Sequence, residues 1–241
     1  MERDYVPIGK AAKIIGVTPT TLRRWEKAGK IKPVRTPTNR RMYLMEQIKS
    51  LVQKSILDYA IDWAVSPYEK EPEETFYCSN SAIFQYRLTR LEEELKRSSV
   101  PIERYSLITA AVGEIGNNSF DHNLGNWPDI PGIFFGYNLE DKEIALADRG
   151  QGILKTLRQA KPTIKNDSQA LKIAFTEIIS GRAPEKRGNG LKFVRESVPL
   201  AGIDLFFQTG GSCIKLNKEN TAVTVKNAKN RIQGCLALIK F

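Results

Sequence analysis

The chain reads IGKAAKIIGVTPTTLRRWEK over residues 8–27, and these residues determine the structure of its N-terminal part. Its first apolar residues, spaced as on one face of a helix, are Ile8, Ala11, Ala12 and Ile15. After a turn at Gly16-Val17, Thr18 is a good N-cap and Pro19 suits the first position of a helix. The pattern therefore predicts two short helices, over residues 8–15 and 19–27, joined by a tight turn.

A small basic hairpin is predicted directly after these helices. Residues 31–36 and 40–43 flank the turn Pro37-Thr38-Asn39 and carry basic side chains on both arms. In the second helix, Leu22 and Trp25 are expected to face inward. Arg and Thr side chains at a helix start suit base edges, and further basic side chains suit phosphates. The residues expected to contact DNA are Thr20, Thr21, Arg23, Arg24, Lys30, Lys32, Arg35, Arg40 and Arg41.

Residues 4–46 resemble the winged helix-turn-helix of MerR-type regulators, and are closer still to excisionases and the DNA-binding heads of small serine recombinases. The segments that carry this likeness are Ile8–Ala12, Gly16–Thr18, Thr21–Glu26, Gly29–Ile31 and Arg40–Tyr43. The resemblance implies that the second helix enters the major groove and that the wing touches the backbone or the minor groove. Heads of this kind sometimes serve as protein docking modules instead. Because one copy gives a small interface, we expect a homodimer on paired half-sites of double-stranded DNA.

Charge and composition agree with a polyanion-binding module. Residues 1–45 contain 11 of the 37 basic residues and 3 of the 27 acidic ones, so most of the net charge of +10 lies there. The chain has one histidine and three cysteines, which fit neither a zinc spacing nor a disulfide framework. Neither the start nor any apolar run is typical of a signal peptide or membrane span, and a cytoplasmic protein with no membrane contact is expected.

The whole sequence predicts an α+β protein with three segments. Residues 1–46, here called the head, form the winged helix-turn-helix, and residues 47–74 form a helical connector with an acidic linker. One helix is predicted from Glu46 to about Val65, either as a dimer seam or packed on a neighbour. Residues 75–241 form a larger domain, with a second amphipathic helix over about residues 82–97.

Three motifs in residues 75–241 indicate a nucleotide site. On a helix starting near Glu103, Glu114, Asn118 and His122 fall on one stripe, where an amide suits magnesium and a carboxylate can activate water. An apolar strand ends in Asp148 before two glycines, Gly150 and Gly152, that allow a flat base to approach the backbone. The pair Gly188 and Gly190 opens a helix whose free N–H groups suit phosphates. Taken singly, each motif also fits an ordinary solvated face, turn or helix start.

In combination, the three motifs resemble the GHKL fold of gyrase, the ninety-kilodalton heat-shock chaperone, histidine kinases and mismatch-repair ATPases. That fold is an α/β sandwich, a mixed sheet backed by helices, with strands here at about 132–138, 143–148, 203–208, 212–216, 221–226 and 235–240. The resemblance implies that Asn118 ligates Mg²⁺, that Asp148 binds the adenine of ATP, and that Glu114 is the base if hydrolysis occurs. Other residues implied to line the site are His122, Gly150, Gly152, Ile153, Arg187, Gly188, Gly190 and Leu191.

These observations favour a DNA-binding regulator whose ATP-binding domain gates or dimerises the head, with or without hydrolysis of the ATP. The only histidine, His122, lies inside the first motif, so autophosphorylation in the manner of a histidine kinase is excluded. Two alternatives stay open. One is a Ser/Thr protein kinase of the anti-sigma-factor type that acts on a partner protein, and the other is an accessory factor in recombination or mobile-element control.

Overall fold

The computed structural model describes residues 4–15, 17–51, 54–177 and 190–241. The chain divides into two compact units, residues 1–55 and 56–241. The elements of the first unit are β1 (Tyr5–Pro7), α1 (Ile8–Ile15), α2 (Pro19–Lys27), β2 (Val34–Arg35), β3 (Arg41–Leu44) and α3 (Met45–Leu51). The two helices predicted at the start of the chain are confirmed, and the expected two-stranded wing has a third strand. β3 lies between β1 and β2, and both pairings are antiparallel.

The core of the first unit comes from its three described helices and its sheet. Leu22 is fully buried and Trp25 packs half-buried against the same cluster, as their spacing predicts. Thr18 caps α2, because its hydroxyl accepts a hydrogen bond from the Thr21 amide at 3.1 Å. The remaining buried members of this core are Val6, Ala11, Ala12, Ile31, Tyr43 and Ile48.

The second unit contains one large sheet with helices on both faces. Its helices are α4 (Ile56–Val65), α5 (Ser81–Arg97), α6 (Ile102–Asn123), α7 (Gly152–Ala160), α8 (Asp167–Thr176) and α9 (Gly190–Ala201). Its strands are β4 (Tyr77–Cys78), β5 (Ile133–Asn138), β6 (Glu143–Asp148), β7 (Asp204–Thr209), β8 (Ser212–Leu216), β9 (Lys226–Asn227) and β10 (Cys235–Lys240). The described strands follow the order β4-β5-β6-β10-β7-β8-β9.

The α+β class, with a sheet backed by helices, is confirmed. Whereas the resemblance implies a mixed sheet, every pairing among the described strands is antiparallel. The strand expected over residues 221–226 is reduced to Lys226–Asn227. Within the described ranges, no helix combines the length and apolar character that crossing a membrane requires.

Alternation along β6 shows how the sheet is covered. Ile144 and Leu146 belong to the large core formed with α5, α6 and α9. Ala145 and Ala147 belong to a second core on the other face, where they pack with Trp63 of α4. Successive residues of this strand therefore contact different helical layers.

The connector differs from its sequence prediction. Instead of one helix over residues 46–65, the structure has α3 in the first unit and α4 in the second, with Lys54 and Ser55 non-helical between them. Ile48 of α3 is buried in the core of the first unit, while Ala60 of α4 is buried against the sheet. A single apolar period therefore continues through two helices that pack into separate cores.

Candidate functional site

The predicted DNA-contacting residues lie mostly on the exposed surface of the first unit. Thr21 and Arg41 are half-buried, and the Thr21 hydroxyl is 3.0 Å from that of Thr18, so it takes part in the cap. The exposed members of the set are Thr20, Arg23, Arg24, Lys30, Lys32, Arg35 and Arg40. The surface thus presents a concentration of cations along α2 and the wing.

Glu26 of α2 holds both arms of the wing. Its carboxylate accepts a hydrogen bond from Arg41 Nε at 2.6 Å and another from Arg35 Nη2 at 3.2 Å. Arg35 also donates to Asn39 Oδ1 at the wing turn, at 3.0 Å. The hydrogen bond from Arg41 holds the pKa of Glu26 below its ordinary value, despite partial desolvation. Arg35 and Arg41 therefore orient the wing, in addition to the DNA contact predicted for them.

Sequence reasoning missed Glu26, although a signal was present. It is the sole acidic residue between positions 5 and 45 of a strongly basic segment. A lone carboxylate on a helix that precedes a basic hairpin has arginines as its natural partners.

The first motif meets Gly190 of the third motif where α6 and α9 pack together. A Cβ placed on Gly190 would lie 2.5 Å from Glu114 Oε2 and 3.1 Å from Asn118 Nδ2. Glycine is therefore the residue that fits at this contact. Leu191 is half-buried and packs against the large core. Arg187 and Gly188 lie outside the described residues.

The second motif is tied to the same helix through Ser119. Asp148 is only 2% exposed, and its Oδ2 accepts a hydrogen bond from the Ser119 hydroxyl at 2.8 Å. Its Oδ1 accepts one from the Gly150 amide at 2.9 Å. Burial raises the pKa of Asp148, and these hydrogen bonds oppose the rise by stabilising its charged form. Ser119 was not predicted, although it directly follows Asn118.

Asn123 hydrogen-bonds the loop that contains Gly150 and Gly152, here called the glycine loop, to the end of α6. Its Oδ1 accepts a hydrogen bond from the Gln151 amide at 2.7 Å, and its Nδ2 donates to the Ser119 carbonyl at 2.7 Å. A Cβ on Gly150 would lie 2.1 Å from Asn123 Nδ2, so the loop and this side chain are in close contact. The exposed His122 contributes its backbone carbonyl, which accepts from Gln151 Nε2 at 3.1 Å.

The end of the second motif is held from β7. The Ile153 amide donates to Thr209 Oγ1 at 3.2 Å, and the Thr209 hydroxyl donates to the Gly234 carbonyl at 3.1 Å. Gly152, at the start of α7, lies next to the same hydroxyl. Thr209 is a further buried polar residue that sequence reasoning missed, because its partners are distant in the chain.

Two cavities flank these residues. One, of about 460 Å³, lies between α5, α6 and α9 and includes Glu114 and Asn117 in its lining. The other, of about 430 Å³, is lined by residues that include Arg149, Gly152 and Thr209. Neither of these two cavities is lined by Asn118 or Asp148. No group of three or more His, Cys, Asp or Glu suited to a metal occurs among the described residues.

Comparison with protein families finds a match in the first unit. Residues 7–43 match the family model of the MerR family regulatory protein. No curated protein matches the chain. The predicted MerR-type helix-turn-helix is therefore confirmed, and it suggests a DNA-binding regulator.

Proposed function

We propose that this protein is a DNA-binding regulator whose second unit binds Mg-ATP, and that ATP binding gates DNA binding or dimerisation of the head. The MerR-type match supports the DNA-binding half of this proposal. The ATP-binding half rests on the resemblance of residues 75–241 to the GHKL fold and on the contacts described above.

One observation carries the nucleotide proposal. Consecutive residues of α6 contact both of the other motifs, because Asn118 borders Gly190 and Ser119 donates to Asp148. The three motifs span residues 114–190 and come from a helix, a strand end and a second helix start. Packing alone does not require a glycine, an amide and a carboxylate from a helix start, a helix and a strand end to lie close together.

The residues present fit Mg-ATP. The amide oxygen of Asn118 is a hard ligand, and Mg²⁺ usually takes only one or two protein ligands beside phosphates and water, so a larger acidic cluster is not required. The Asp148 carboxylate has about four acceptor positions, and because the Ser119 hydroxyl and the Gly150 and Cys235 amides take three of them, one is left for the adenine amine. Gly190 begins α9, and the free amides at a helix start would suit phosphate oxygens. Bound ATP would supply a phosphoryl group open to attack by water, and Glu114 would accept the proton from that water.

Gating by ATP requires a difference in ATP affinity between two states of the protein. A ligand shifts such an equilibrium only by its differential affinity for the states. The head supplies the electrostatic part of DNA affinity through its exposed cations, and dimerisation would double the contacts on paired half-sites. If ATP binds one of these states more tightly than the other, it would therefore change the apparent affinity of the protein for DNA.

The first experiment measures ATP binding by calorimetry with the full chain in the presence of Mg²⁺. We expect the wild type to bind ATP and Asp148→Asn to lose this binding. The adenine amine needs an acceptor, and the asparagine side chain presents an NH2 donor in place of one carboxylate oxygen. Asp204→Asn is the matched control, because Asp204 is exposed at the other end of the same sheet. An absence of binding by the wild type would refute the nucleotide half of the proposal.

A second measurement separates gating from simple binding. The affinity for a duplex selected from a random-sequence pool is measured with and without Mg-ATP, over a range of salt concentrations. Loss of ATP binding in Asp148→Asn with no change in ATP-dependent DNA affinity argues against gating. Glu114→Ala that still binds ATP but no longer turns it over would assign hydrolysis to this carboxylate. Transfer of phosphate to a protein would instead favour the kinase alternative.

A further inference from the structure

Arg149 lies between Asp148 and Gly150 of the second motif, but its side chain contacts the other helical layer. Following the alternation of β6, Asp148 contacts α6, whereas Arg149 contacts α4. Arg149 Nη1 donates to the backbone carbonyls of Trp63 at 2.9 Å and Ser66 at 2.7 Å. Its guanidinium carbon is 5.9 Å from the centre of the Trp63 ring. The C-terminal end of α4 is thus bound by a residue of the glycine loop.

A buried ion pair fixes this arginine. Arg149 Nε donates to Asp129 Oδ2 at 2.5 Å, Arg149 Nη2 pairs with the same carboxylate, and both side chains are at least 94% buried. The loop between α6 and β5 supplies Asp129, whose Oδ1 makes no hydrogen bond with the described residues. Buried ion pairs are often no more stabilising than apolar side chains of similar volume. Stability alone therefore gives little reason for a charged pair here.

The loop that begins at Asp148 is consequently held by both helical layers. On one side, Ser119 and Asn123 of α6 bind the Asp148 carboxylate and the Gln151 amide. On the other side, Arg149 binds the end of α4, the helix with which the second unit begins. A shift of the loop backbone must move the end of α4 or break hydrogen bonds to a buried cation.

We propose that Arg149 is a positioning residue that transmits nucleotide occupancy from the Asp148–Gly150 loop to α4, and from there along the chain to the head. This inference rests on the proposed function. The planar guanidinium suits the role because it holds two carbonyls and a carboxylate in one fixed geometry. A lysine keeps the charge but presents a flexible point donor that does not reproduce this fork.

Three variants of the full chain test the inference. Arg149→Lys keeps a cation beside Asp129, and the double variant Arg149→Met/Asp129→Leu replaces the buried pair with apolar side chains, so that no buried charge is left alone. Arg158→Lys is the control, because Arg158 also donates to two backbone carbonyls, those of Ile164 and Lys165, away from α4.

Two readouts are taken for each variant with and without Mg-ATP. The first is amide hydrogen exchange in residues 60–66, which reports opening of the end of α4. The second is the DNA dissociation constant for the selected duplex. For the wild type and Arg158→Lys we expect ATP to slow exchange in residues 60–66 and to change DNA affinity by at least about fivefold.

For Arg149→Lys and the double variant we expect ATP still to bind by calorimetry, but its effects on exchange and on DNA affinity to fall below about twofold. The inference is overturned if either variant binds ATP and shows the wild-type response in both readouts. If the wild type binds no ATP, the proposed function fails first and the inference falls with it. If the variants lose ATP binding itself, Arg149 serves the site alone and transmission to α4 is rejected.

Discussion

Replacing Glu26 with glutamine tests whether the wing is held to α2 by the two arginines. The carboxylate accepts from Arg41 Nε at 2.6 Å and from Arg35 Nη2 at 3.2 Å. Glutamine keeps the size of the side chain but removes the charge and leaves one acceptor oxygen. Both ion pairs are therefore lost, while the packing of α2 is retained.

The expected magnitude follows from the exposure of the three side chains. Glu26 is 22% exposed, Arg41 30% and Arg35 40%, so solvent screens both pairs and the Arg35 pair more strongly. Exposed ion pairs typically contribute about 0.2–1 kcal/mol each. Because the Arg41 pair is short and better shielded, we expect a total loss of about 1 kcal/mol, a change of roughly fivefold in an equilibrium constant.

Amide hydrogen exchange measures this loss in the full chain without isolating the head. Amides of residues 34–44 should exchange about fivefold faster in Glu26→Gln than in the wild type at about pH 7. Glu46→Gln is the matched control, since Glu46 is an exposed acidic residue of α3 in the same unit. Its exchange in residues 34–44 should match that of the wild type.

The pH dependence supplies an independent check with a defined sign. Because the folded pKa of Glu26 is held below its ordinary value of 4.5, its contribution is present above that pH and is lost as the pH falls through the folded pKa. The difference between wild type and Glu26→Gln should therefore shrink below about pH 4.5. Equal exchange in the two proteins at neutral pH, or a difference that persists unchanged in acid, would refute the conclusion that Glu26 holds the wing through Arg35 and Arg41.

Three further predictions concern DNA, phosphate and the buried acid. Arg24→Ala should weaken DNA binding and reduce the slope of affinity against salt by about 1 if it contacts a phosphate; a slope like that of wild type, measured by anisotropy, would contradict this. Gly190→Ala should weaken ATP binding by roughly tenfold in calorimetry, because its Cβ would meet Glu114 Oε2 at 2.5 Å; Gly9→Ala, where a Cβ meets nothing within 4 Å, should leave binding unchanged. Ser119→Ala should lower the free energy of unfolding in urea by about 1–3 kcal/mol, because buried Asp148 loses a donor; an unchanged midpoint would show that another group replaces it.

The sequence predicts the helices of the first unit because their signals are local. Thr18, Pro19 and the apolar spacing of residues 8–15 act within a few positions of one another. β1 was missed because three residues ending in Pro7 carry no alternation, and it forms only by pairing with β3, 35 to 39 residues later. Non-local pairing of this kind leaves no local pattern.

The connector shows the limit of periodicity in another way. The apolar spacing over residues 46–65 continues without interruption, which predicted one helix. The spacing identifies an apolar face, but not the surface that the face packs against. Because Ile48 and Ala60 are buried in different cores, the chain breaks the helix between them.

The candidate site was predictable where residue type dictates chemistry, and not where contacts depend on the fold. Glu114, Asn118 and Gly190 were proposed as neighbours from their motifs, and the structure places them together. Ser119 and Asn123 carry ordinary side chains whose roles arise only when α6 packs beside the end of β6. Their hydrogen bonds join residues 28 or 29 positions apart, beyond the reach of local spacing.

The face to which the Arg149 side chain points follows from the alternation of side chains along a strand, which the sequence already contains. The period of two places residues 148 and 149 on opposite faces, and a sheet covered by helices on both faces gives each of them a different helical partner. A site built at the end of such a strand is therefore in contact with both layers through adjacent residues. In this protein one of those layers is α4, which begins where the first unit ends. Sensitivity of α4 to events at Asp148 then requires no long pathway, only that the backbone between two neighbouring residues moves.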